Sequence, residues 1–470
     1  MGQLLSTPNT NKVTHLAYYP DAGMMAGSSS MQGWRVTMED AHLMQYSLRA
    51  GVTSSLQHDD ARKIPPPNLS TSGLRPSPGE QQTRTAQDLQ QYQERVLTFG
   101  PTMSKAYAHH LSAAVPFTGE TELSLFAVMD GHGGSECANF AAKHLAGCVL
   151  ASKHYSSGDY GQALYDAFLD CDSAFFEASN NMSGCAAIAV GITNDKIYCA
   201  NAGDARAVLC RSGLAIPLSI DHKPTLPGEV ERIQEAGGFI HNGRVNGSLA
   251  LSRALGDFSF KQHPRLSMVH QPITAAPDIV TVDRNRETDE FLIVACDGIW
   301  DMVTCDEAAD FVREHLAFGL APSAVAERLL TRCLAPSTGQ SGLGCDNMTC
   351  IIITLGDKSA IGSSPEDFVA HVASRATLPV VRDQPPTGVA ACLTDPNGVV
   401  ALAQYNEQRD SFYRLHATGV GSSNPTTPGT LPATQIYMAT DSDSSDFESD
   451  PPSPSSLSSS AAAAKELDLS

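Results

Sequence analysis

Two short apolar runs, each ending in Asp-Gly, are the feature that most constrains the fold. They are LFAVMDGHGG at 125–134 and FLIVACDGIWD at 291–301. Apolar runs of this length beside glycine are typical of buried strands that leave the edge of a sheet. Asp-Gly is also a common turn pair, so a plain turn is the simpler interpretation of Asp130 alone. The alternative is that its carboxylate stands where a strand opens into a site.

Apolar spacing predicts one packed domain around these runs, from Ser124 to Leu355. Helices are predicted over 135–155, 158–180, 229–236, 304–318 and 323–334. Short strands are predicted over 185–192, 196–201, 206–210, 290–296 and 348–355. Thr304, with Glu307 three residues on, has the sequence of a capping box. Because strands and helices occur in runs, the order favours an α+β fold with antiparallel sheets and helices packed outside them.

Composition separates the remaining chain into flanking segments. Residues 1–22 form an N-terminal segment, and the domain is taken as 23–357 with an insertion at about 49–120. The insertion is rich in Pro, Ser and Gln, so we expect it to be low-complexity, although its end, AQDLQQYQERVL, has the pattern of one helix. Residues 358–419 are expected to form a small helical appendage. Residues 420–470 have the composition of a disordered, acidic Ser/Pro-rich tail.

Charge and cysteine usage limit the functional classes. With 31 basic and 51 acidic residues, the formal charge is -20. This charge argues against a protein that binds nucleic acid through phosphate contacts, and it is compatible with the binding of divalent cations. The 12 cysteines form no Cys-x-x-Cys pair, a pattern that suits a reducing compartment. No apolar stretch reaches membrane-spanning length. The sequence therefore favours a cytoplasmic protein, with the nucleus left open.

The N-terminal sequence MGQLLS fits the acceptor pattern for myristoylation of Gly2, although a Met-Gly start also arises by chance. A single acyl chain gives only marginal membrane binding unless a second signal is present. No cysteine precedes Cys137, and Lys12 and Arg35 are the basic residues among the first 48. We therefore expect weak, reversible membrane contact.

Acidic residues recur beside the ends of predicted strands. In addition to Asp130 and Asp297, they are Asp204 and Asp346, and GWRVTMEDAH adds Glu39 and Asp40 near the N-terminus. Each one alone is better explained as a turn, cap or solvated residue. Together, acids gathered at one edge of a sandwich would repel one another without cations, and oxygen ligands are what Mg²⁺ or Mn²⁺ require. In that arrangement Asp130 can bridge two metals, and Gly131 leaves its carbonyl free to approach one of them.

Two further residues supply complementary chemistry. Arg35, four residues before Glu39, offers a planar fork suited to phosphate, and a surface ion pair is its alternative role. His132, two residues after Asp130, can protonate a leaving oxygen near neutral pH, and a satisfied loop histidine is the alternative. Position alone does not decide between these roles.

Several motifs together give the chain a family resemblance. They are GWRVTMEDAH, FAVMDGHGG, NAGDARAV, DHKP, GRVNGSLALSRALGD, ACDGIWD and GCDNMTC. In these motifs and their order, over about 31–48 and 124–355, the chain resembles the metal-dependent Ser/Thr protein phosphatases of type 2C. MGQLLSTPNT and CLAPSTGQSGLGCDNMTCIII are most similar to gamma-type members.

The resemblance implies a fold and a mechanism. It implies a two-sheet β-sandwich flanked by helices, with a binuclear metal site at one end that holds two Mg²⁺ or Mn²⁺ ions, and a monomer that acts on phosphoproteins. A metal-bridging water would attack phosphorus in line. The implied assignments are Asp130, the Gly131 carbonyl, Asp297 and Asp346 as metal ligands, Glu39 and Asp40 on metal-bound waters, Asp204 at a third, weaker metal position, Arg35 on the substrate phosphate, and His132 as general acid.

Departures from the family pattern define what stays open. Ala186 stands where the family usually has threonine, so a polar contact near the metals is expected to be lost. The insertion lies earlier than the acidic insertion of gamma-type members, so their substrates and nuclear residence do not transfer. The main rival function is a catalytically silent binding module, which should lack at least one of Asp130, Asp297 or Asp346. A phosphodiesterase or nuclease is disfavoured by the acidic balance.

Overall fold

The computed structural model describes residues 4–48, 123–179, 181–339, 341–356, 364–378 and 380, and the backbone of 392–395 and 398–401. Gly2, the insertion at 49–120 with its predicted helix, and the tail at 420–470 lie outside the described residues. Within the described ranges, no helix is long and apolar enough to cross a membrane. The eleven cysteines whose side chains are described are all free thiols, and all except Cys148 are buried, where a free cysteine packs as a small apolar residue.

The strands, in chain order, are β1 Leu4–Tyr19, β2 Met24–Arg35, β3 Ala41–Gln45, β4 Ser124–His132, β5 Gly184–Ile192, β6 Lys196–Ala202, β7 Arg206–Arg211, β8 Leu214–Pro217, β9 Ile240–His241, β10 Arg244–Val245, β11 Leu255–Gly256, β12 Asp278–Asp283, β13 Asp289–Ala295, β14 Met348–Leu355, β15 Cys392–Asp395 and β16 Gly398–Ala401. The α-helices are α1 Glu136–Ala151, α2 Lys153–Ser156, α3 Tyr160–Ala178, α4 Pro227–Glu235, α5 Asp297–Trp300, α6 Cys305–Ala317, α7 Pro322–Cys333 and α8 Pro365–Ala376. Short 3-10 turns occupy Pro20–Ala22, Phe258–Phe260 and Met268–His270.

Most of the strands form two large antiparallel sheets, and β9 and β10 form a separate antiparallel pair. The first has the order β1-β2-β14-β13-β7-β8, and the second has the order β16-β15-β12-β6-β5-β4-β3, with β11 paired to β5. The predicted α+β sandwich with antiparallel sheets is confirmed. Strand β1, which begins inside the segment set apart as 1–22, is an edge strand of the first sheet. In the segment set apart as 358–419, α8 is helical, and β15 and β16 extend the second sheet.

The central strands are buried on both faces, and their alternate side chains enter two different cores. In β13, Phe291 and Ile293 pack toward the outer helices, and Leu292 and Val294 pack between the sheets. In β4, Leu125, Ala127 and Met129 face the outer layer, and Phe126 and Val128 face the inter-sheet core. A strand with a period of two therefore reads as a continuous apolar run when both of its faces are covered.

Helices cover the outer faces of both sheets. Helices α6, α7 and α8 share a core with the first sheet, and α1 and α3 share another with the second. The capping box at Thr304 is present, with the Thr304 side chain accepting from the Glu307 backbone. The predicted helix over 135–155 is divided at Ser152, which is extended and accepts a hydrogen bond from the His154 backbone.

Candidate metal centre

Strand direction brings the predicted acids to one end of the sandwich. Strand β4 reaches Asp130 near its end, and its antiparallel partner β3 begins directly after Asp40. Asp130 lies two residues beyond Val128, so the alternation that buries Val128 also points Asp130 between the sheets. The end of β13, before Asp297, lies beside the start of β14, after Asp346. Within each sheet the two acids meet because neighbouring strands run in opposite directions, and the two pairs meet because the inner faces of the sheets pack against each other.

Asp40 has a carboxylate buried without a partner. Its residue is 9% exposed, and neither carboxylate oxygen accepts a hydrogen bond of normal geometry, although Thr349 and Cys296 lie near it. Burial raises the pKa of Asp40 to about 7, and the charges of Asp346 and Asp297 add to the rise. A buried acceptor left open in this way costs free energy unless something binds it.

Asp130 and Asp297 extend the same group of negative charges. Burial raises the pKa of Asp130 well above its ordinary value, and the charges of Asp40, Asp346 and Asp204 raise it further. Burial likewise raises the pKa of Asp297, with Asp130 as the next cause. Among the described residues, no cation forms an ion pair with these two aspartates or with Asp40. A group of this kind must take up protons or bind cations.

The nearby cations pair with the outer acids instead. Arg35, at the end of β2, donates to Asp346, and Lys223, in the motif DHKP, donates to Asp204. Asp204 follows β6 and has a side chain that is 7% exposed. The sequence predicts that Arg35 binds phosphate, but it does not predict the contact of Lys223, which lies 19 residues from Asp204 along the chain.

A thiol also borders the group. Asp40, Asp130 and Cys296 each bring one potential ligand atom within 4.8 Å of the other two. Burial, followed by the charges of Asp40 and Asp130, raises the pKa of the Cys296 thiol well above its ordinary value. A neutral thiol is a poor ligand for hard cations, which prefer oxygen. Cys296 was not predicted at this site, and we interpret it as a neutral neighbour of the carboxylates.

One asparagine fixes the loop that carries Glu39. The Asn347 side chain accepts from the Glu39 backbone at 2.9 Å and donates to the Gln32 and Thr37 carbonyls at 2.8 and 2.9 Å. The Glu39 carboxylate accepts from the Thr37 hydroxyl at 2.8 Å and from the Gly134 backbone at 3.3 Å. The structure therefore brings Glu39 to the same end of the sandwich as Asp130.

His132 lies at the end of β4 with one ring nitrogen engaged. Its Nε2 is 2.7 Å from Oδ2 of Asp257. Burial lowers the pKa of His132, but the hydrogen bond and charge of Asp257, with the charges of Asp204 and Glu39, leave it raised overall. The histidine side chain is 29% exposed. A partly exposed imidazole beside a carboxylate group can hold and release a proton.

Ala186 faces the predicted ligands without offering a polar group. It pairs with Asp130 in the register of β4 and β5 and is 1% exposed. A Cβ added at Gly203, next to Asp204, would lie 2.4 Å from the Ala186 Cβ. The space beside Ala186 is therefore small.

These residues fit divalent cations. The unpartnered oxygens of Asp40 and the mutually raised pKa values of Asp130 and Asp297 are what a set of oxygen ligands for divalent cations shows by itself. Arginine and histidine flank the acids, as phosphate chemistry requires. Fold and site together define a metal-dependent phosphatase.

The comparisons with known proteins lead to the same class. The family model described as Protein phosphatase 2C matches residues 100–342. Protein phosphatase 2C homolog 2 of Hypocrea jecorina is 37% identical over 378 residues, which cover 80% of this chain and 71% of that protein. A Caenorhabditis elegans protein named "Probable protein phosphatase 2C T23F11.1" is 37% identical over 387 residues, 82% of this chain and 87% of that one. The chain belongs to the protein phosphatase 2C family.

A solved structure titled as a phosphatase from a pathogenic strain of Toxoplasma gondii aligns with a TM-score of 0.49 at 20% identity, covering 74% of this chain and 96% of that one.

Proposed function

We propose that this chain, a metal-dependent protein serine/threonine phosphatase of the 2C family, hydrolyses phosphoserine and phosphothreonine in phosphoproteins at the strand-end carboxylates. The observation that carries this proposal is the group formed by Asp40, which is buried, and by Asp130 and Asp297, which are partly buried; the group is acidic and has no paired cation among the described residues. Its members fit two Mg²⁺ or Mn²⁺ ions, and Asp204 would contribute to a third, weaker position.

Each residue has a proposed part in holding the ions. Asp130, the Gly131 carbonyl, Asp297 and Asp346 would contact them directly, and Glu39 and Asp40 would hold their waters. When bound, the ions would supply charge neutralisation for the phosphate and a lower pKa for the attacking water. A silent relative should lack at least one of Asp130, Asp297 and Asp346, and all three are present in the chain.

Arg35 is proposed to bind the substrate phosphate. Its guanidinium donates to Asp346, and the two side chains are 39% and 31% exposed. A partly exposed ion pair of this kind is weak enough for the arginine to exchange partners. If Asp346 turns toward a cation, the Arg35 fork is released to form a bidentate contact with the dianionic phosphate.

His132 is proposed to protonate the leaving seryl or threonyl oxygen. An alkoxide is a poor leaving group at neutral pH, so a positioned acid speeds its departure. The histidine lies two residues beyond Asp130 on the same strand end, and part of its ring is exposed.

Phosphate release from a phosphothreonine peptide tests the proposal. The purified full chain is assayed in EDTA, in Mg²⁺ and in Mn²⁺, beside Asp297→Asn and the control Asp166→Asn, which changes a carboxylate on α3. We expect activity only with metal, lost in Asp297→Asn and kept in Asp166→Asn, with all three chains folded. A folded wild type that is inactive with either metal would favour the silent binding module. Wild-type turnover in Asp297→Asn would refute the metal assignment.

A separate proposal concerns the cellular location of the protein and is based on its N-terminal sequence. If Gly2 is acylated, the acyl chain would give the protein weak and reversible membrane contact. Most of the protein would then stay in the cytoplasm, and so weak an anchor would also allow residence in the nucleus. The support is the sequence MGQLLS and the lack of a nearby second signal. Wild type and Gly2→Ala are compared for partitioning between cytosol and membranes, and equal partitioning would contradict the proposal.

A further inference from the structure

Asp257 is a buried aspartate to which the proposed mechanism gives no role. Its Oδ2 lies 2.7 Å from Nε2 of His132, and 125 residues separate the two along the chain. The Asp257 side chain is 7% exposed. It ends the motif GRVNGSLALSRALGD, in which no local pattern marks it as a partner of His132.

The backbone at Asp257 is held in an uncommon conformation. Its φ and ψ are 52° and 38°, in the left-handed region, directly after Gly256 at φ 74°. The Asp257 backbone N–H donates to the Ser183 carbonyl at 3.1 Å. A left-handed aspartate costs roughly 1 kcal/mol, and such conformations persist where the surroundings determine them.

A second buried pair anchors the loop on both sides of Asp257. Lys261 Nζ lies 2.8 Å from Oδ2 of Asp172 on α3, and each side chain is 1% exposed. The same lysine donates to the Ala254 carbonyl at 2.9 Å, and the Gly256 N–H donates to Asp172 Oδ1 at 2.7 Å. The loop is therefore tied to α3 before and after Asp257.

Strand β5 encloses the contact between the two side chains. A Cβ added to Gly184 would lie 2.3 Å from Oδ2 of Asp257 and 2.5 Å from Nε2 of His132. Neither distance leaves room for a side chain. The backbone of Gly184 thus covers the hydrogen bond, and the bond is shielded in a way that a surface pair is not.

From these contacts we propose that Asp257 is a positioning residue that fixes the His132 ring for proton transfer. It accepts the Nε2–H, so Nδ1 is the nitrogen whose proton goes to the leaving group. The proposal rests on the proposed function, in which His132 is the general acid. When the P–O bond breaks, its electron pair stays on the seryl or threonyl oxygen, which takes the Nδ1 proton. The attacking water bonds to phosphorus and gives a proton to solvent, from which Nδ1 is reprotonated.

Leaving-group dependence tests this role. Wild type, Asp257→Ala, Asp257→Asn, His132→Ala and the double variant His132→Ala/Asp257→Ala are assayed at saturating Mn²⁺ on a phosphothreonine peptide and on an aryl phosphate, whose leaving group needs little protonation. We expect Asp257→Ala to lose about tenfold or more in kcat on the peptide and clearly less on the aryl phosphate. The double variant should be no slower than His132→Ala, because Asp257 acts through the histidine.

A matched control is available in the chain. His154 Nδ1 and Asp166 Oδ2 also lie 2.7 Å apart, outside the carboxylate group. Asp166→Ala removes an equivalent histidine partner, so it should leave the ratio of the two turnover rates unchanged.

The outcomes separate the two proposals. An equal loss on both substrates in His132→Ala removes the general-acid assignment, and the positioning proposal falls with it. Two outcomes overturn the positioning proposal alone. In the first, His132→Ala loses turnover mainly on the peptide, but Asp257→Ala loses it equally on the peptide and the aryl phosphate. In the second, the loss of turnover in the double variant is the product of the losses in the two single variants.

Histidine ¹⁵N spectra of the metal-free full chain show which ring nitrogen of His132 carries a proton, and this measurement does not depend on turnover. The His132 ring, assigned by its absence from His132→Ala, should carry a proton on Nε2 in wild type. Asp257→Ala should convert it to a mixture of the two tautomers. A wild-type ring protonated on Nδ1 alone would overturn the proposal.

Discussion

The backbone carbonyl of Glu39 packs directly against Gly131. A Cβ added to Gly131 would lie 2.1 Å from the Glu39 oxygen, and one added to Gly298 would lie 2.0 Å from the Asn347 oxygen. Both Asp-Gly pairs at the site therefore need glycine for the same reason, which is that a neighbouring chain segment crosses at van der Waals contact. Neither glycine has a positive φ, so space rather than conformational freedom sets the requirement.

We predict that Gly131→Ala destabilises the chain and lowers its activity. The added methyl must displace the Glu39 loop, and overpacking of this kind costs about 1–3 kcal/mol in the free energy of unfolding. Urea unfolding and phosphate release measure the two effects. Gly147→Ala is the control, because Gly147 lies inside α1 with nothing within 4 Å of an added Cβ. The control should gain roughly 0.5–1 kcal/mol from helix propensity. Equal stability of the two variants would contradict the packing account.

Lys223→Met should lower the Mn²⁺ concentration needed for half-maximal activity. Lys223 pairs with Asp204, so a cation bound by Asp204 must compete with the ammonium group. Removing the lysine frees the carboxylate, and we expect about a fivefold effect, equivalent to about 1 kcal/mol. Lys196→Met, which removes an exposed lysine 3.7 Å from Asp283, should leave the Mn²⁺ requirement unchanged. A higher or unchanged requirement in Lys223→Met would count against Asp204 as a metal position.

Glu229 should contribute stability that disappears in acid. Burial opposes its ionisation, but the charges of Arg253, His222 and Arg232 outweigh burial and lower the Glu229 pKa from 4.5 to about 2. Two of these contacts, to Arg253 and Arg232, are 2.7 Å long. Because the folded pKa is the lower one, the stabilisation is complete above about pH 4.5 and is lost as the pH falls toward 2.

Glu229→Gln therefore should lower the free energy of unfolding by up to about 3 kcal/mol at pH 7. Urea unfolding of wild type and variant, repeated from pH 7 to pH 3, should show the difference shrinking below about pH 4.5. Glu231→Gln, an exposed position on the same helix α4, should match wild type at every pH. A difference for Glu229→Gln that stays constant with pH would contradict the assigned pKa.

The strands around the site could be predicted because their signal is local. Apolar runs bounded by Asp-Gly mark β4 and β13, which lie in different sheets. The acids at their ends come together because the inner faces of the two sheets pack against each other and both strands end at the same end of the sandwich. Strand β1 was not predicted, and the cause is physical. Leu4–Tyr19 is an edge strand whose first twelve residues are only partly buried or exposed, and its register is irregular near Asn9. Edge strands tolerate proline and polar residues, so they lack the apolar alternation that marks a central strand.

The partners of the site residues could not be predicted in the same way. Asp257 and Lys223 reach His132 and Asp204 through tertiary packing, across 125 and 19 residues. Cys296 lies at the site because it continues the inner face of β13 beyond Val294. The residues around it in the sequence are those of an ordinary buried cysteine. Sequence patterns identify the acids, and the three-dimensional fold alone decides which cation or ring each acid contacts.

Binding of Mn²⁺ to the metal-free full chain tests the central claim most directly. Titration calorimetry compares wild type with Asp130→Asn, and Asp166→Asn serves as a control for the loss of a carboxylate outside the site. The account predicts that wild type and Asp166→Asn bind Mn²⁺ alike and that folded Asp130→Asn loses at least one bound ion. Identical binding in all three chains would contradict the assignment of the strand-end carboxylates as the metal centre.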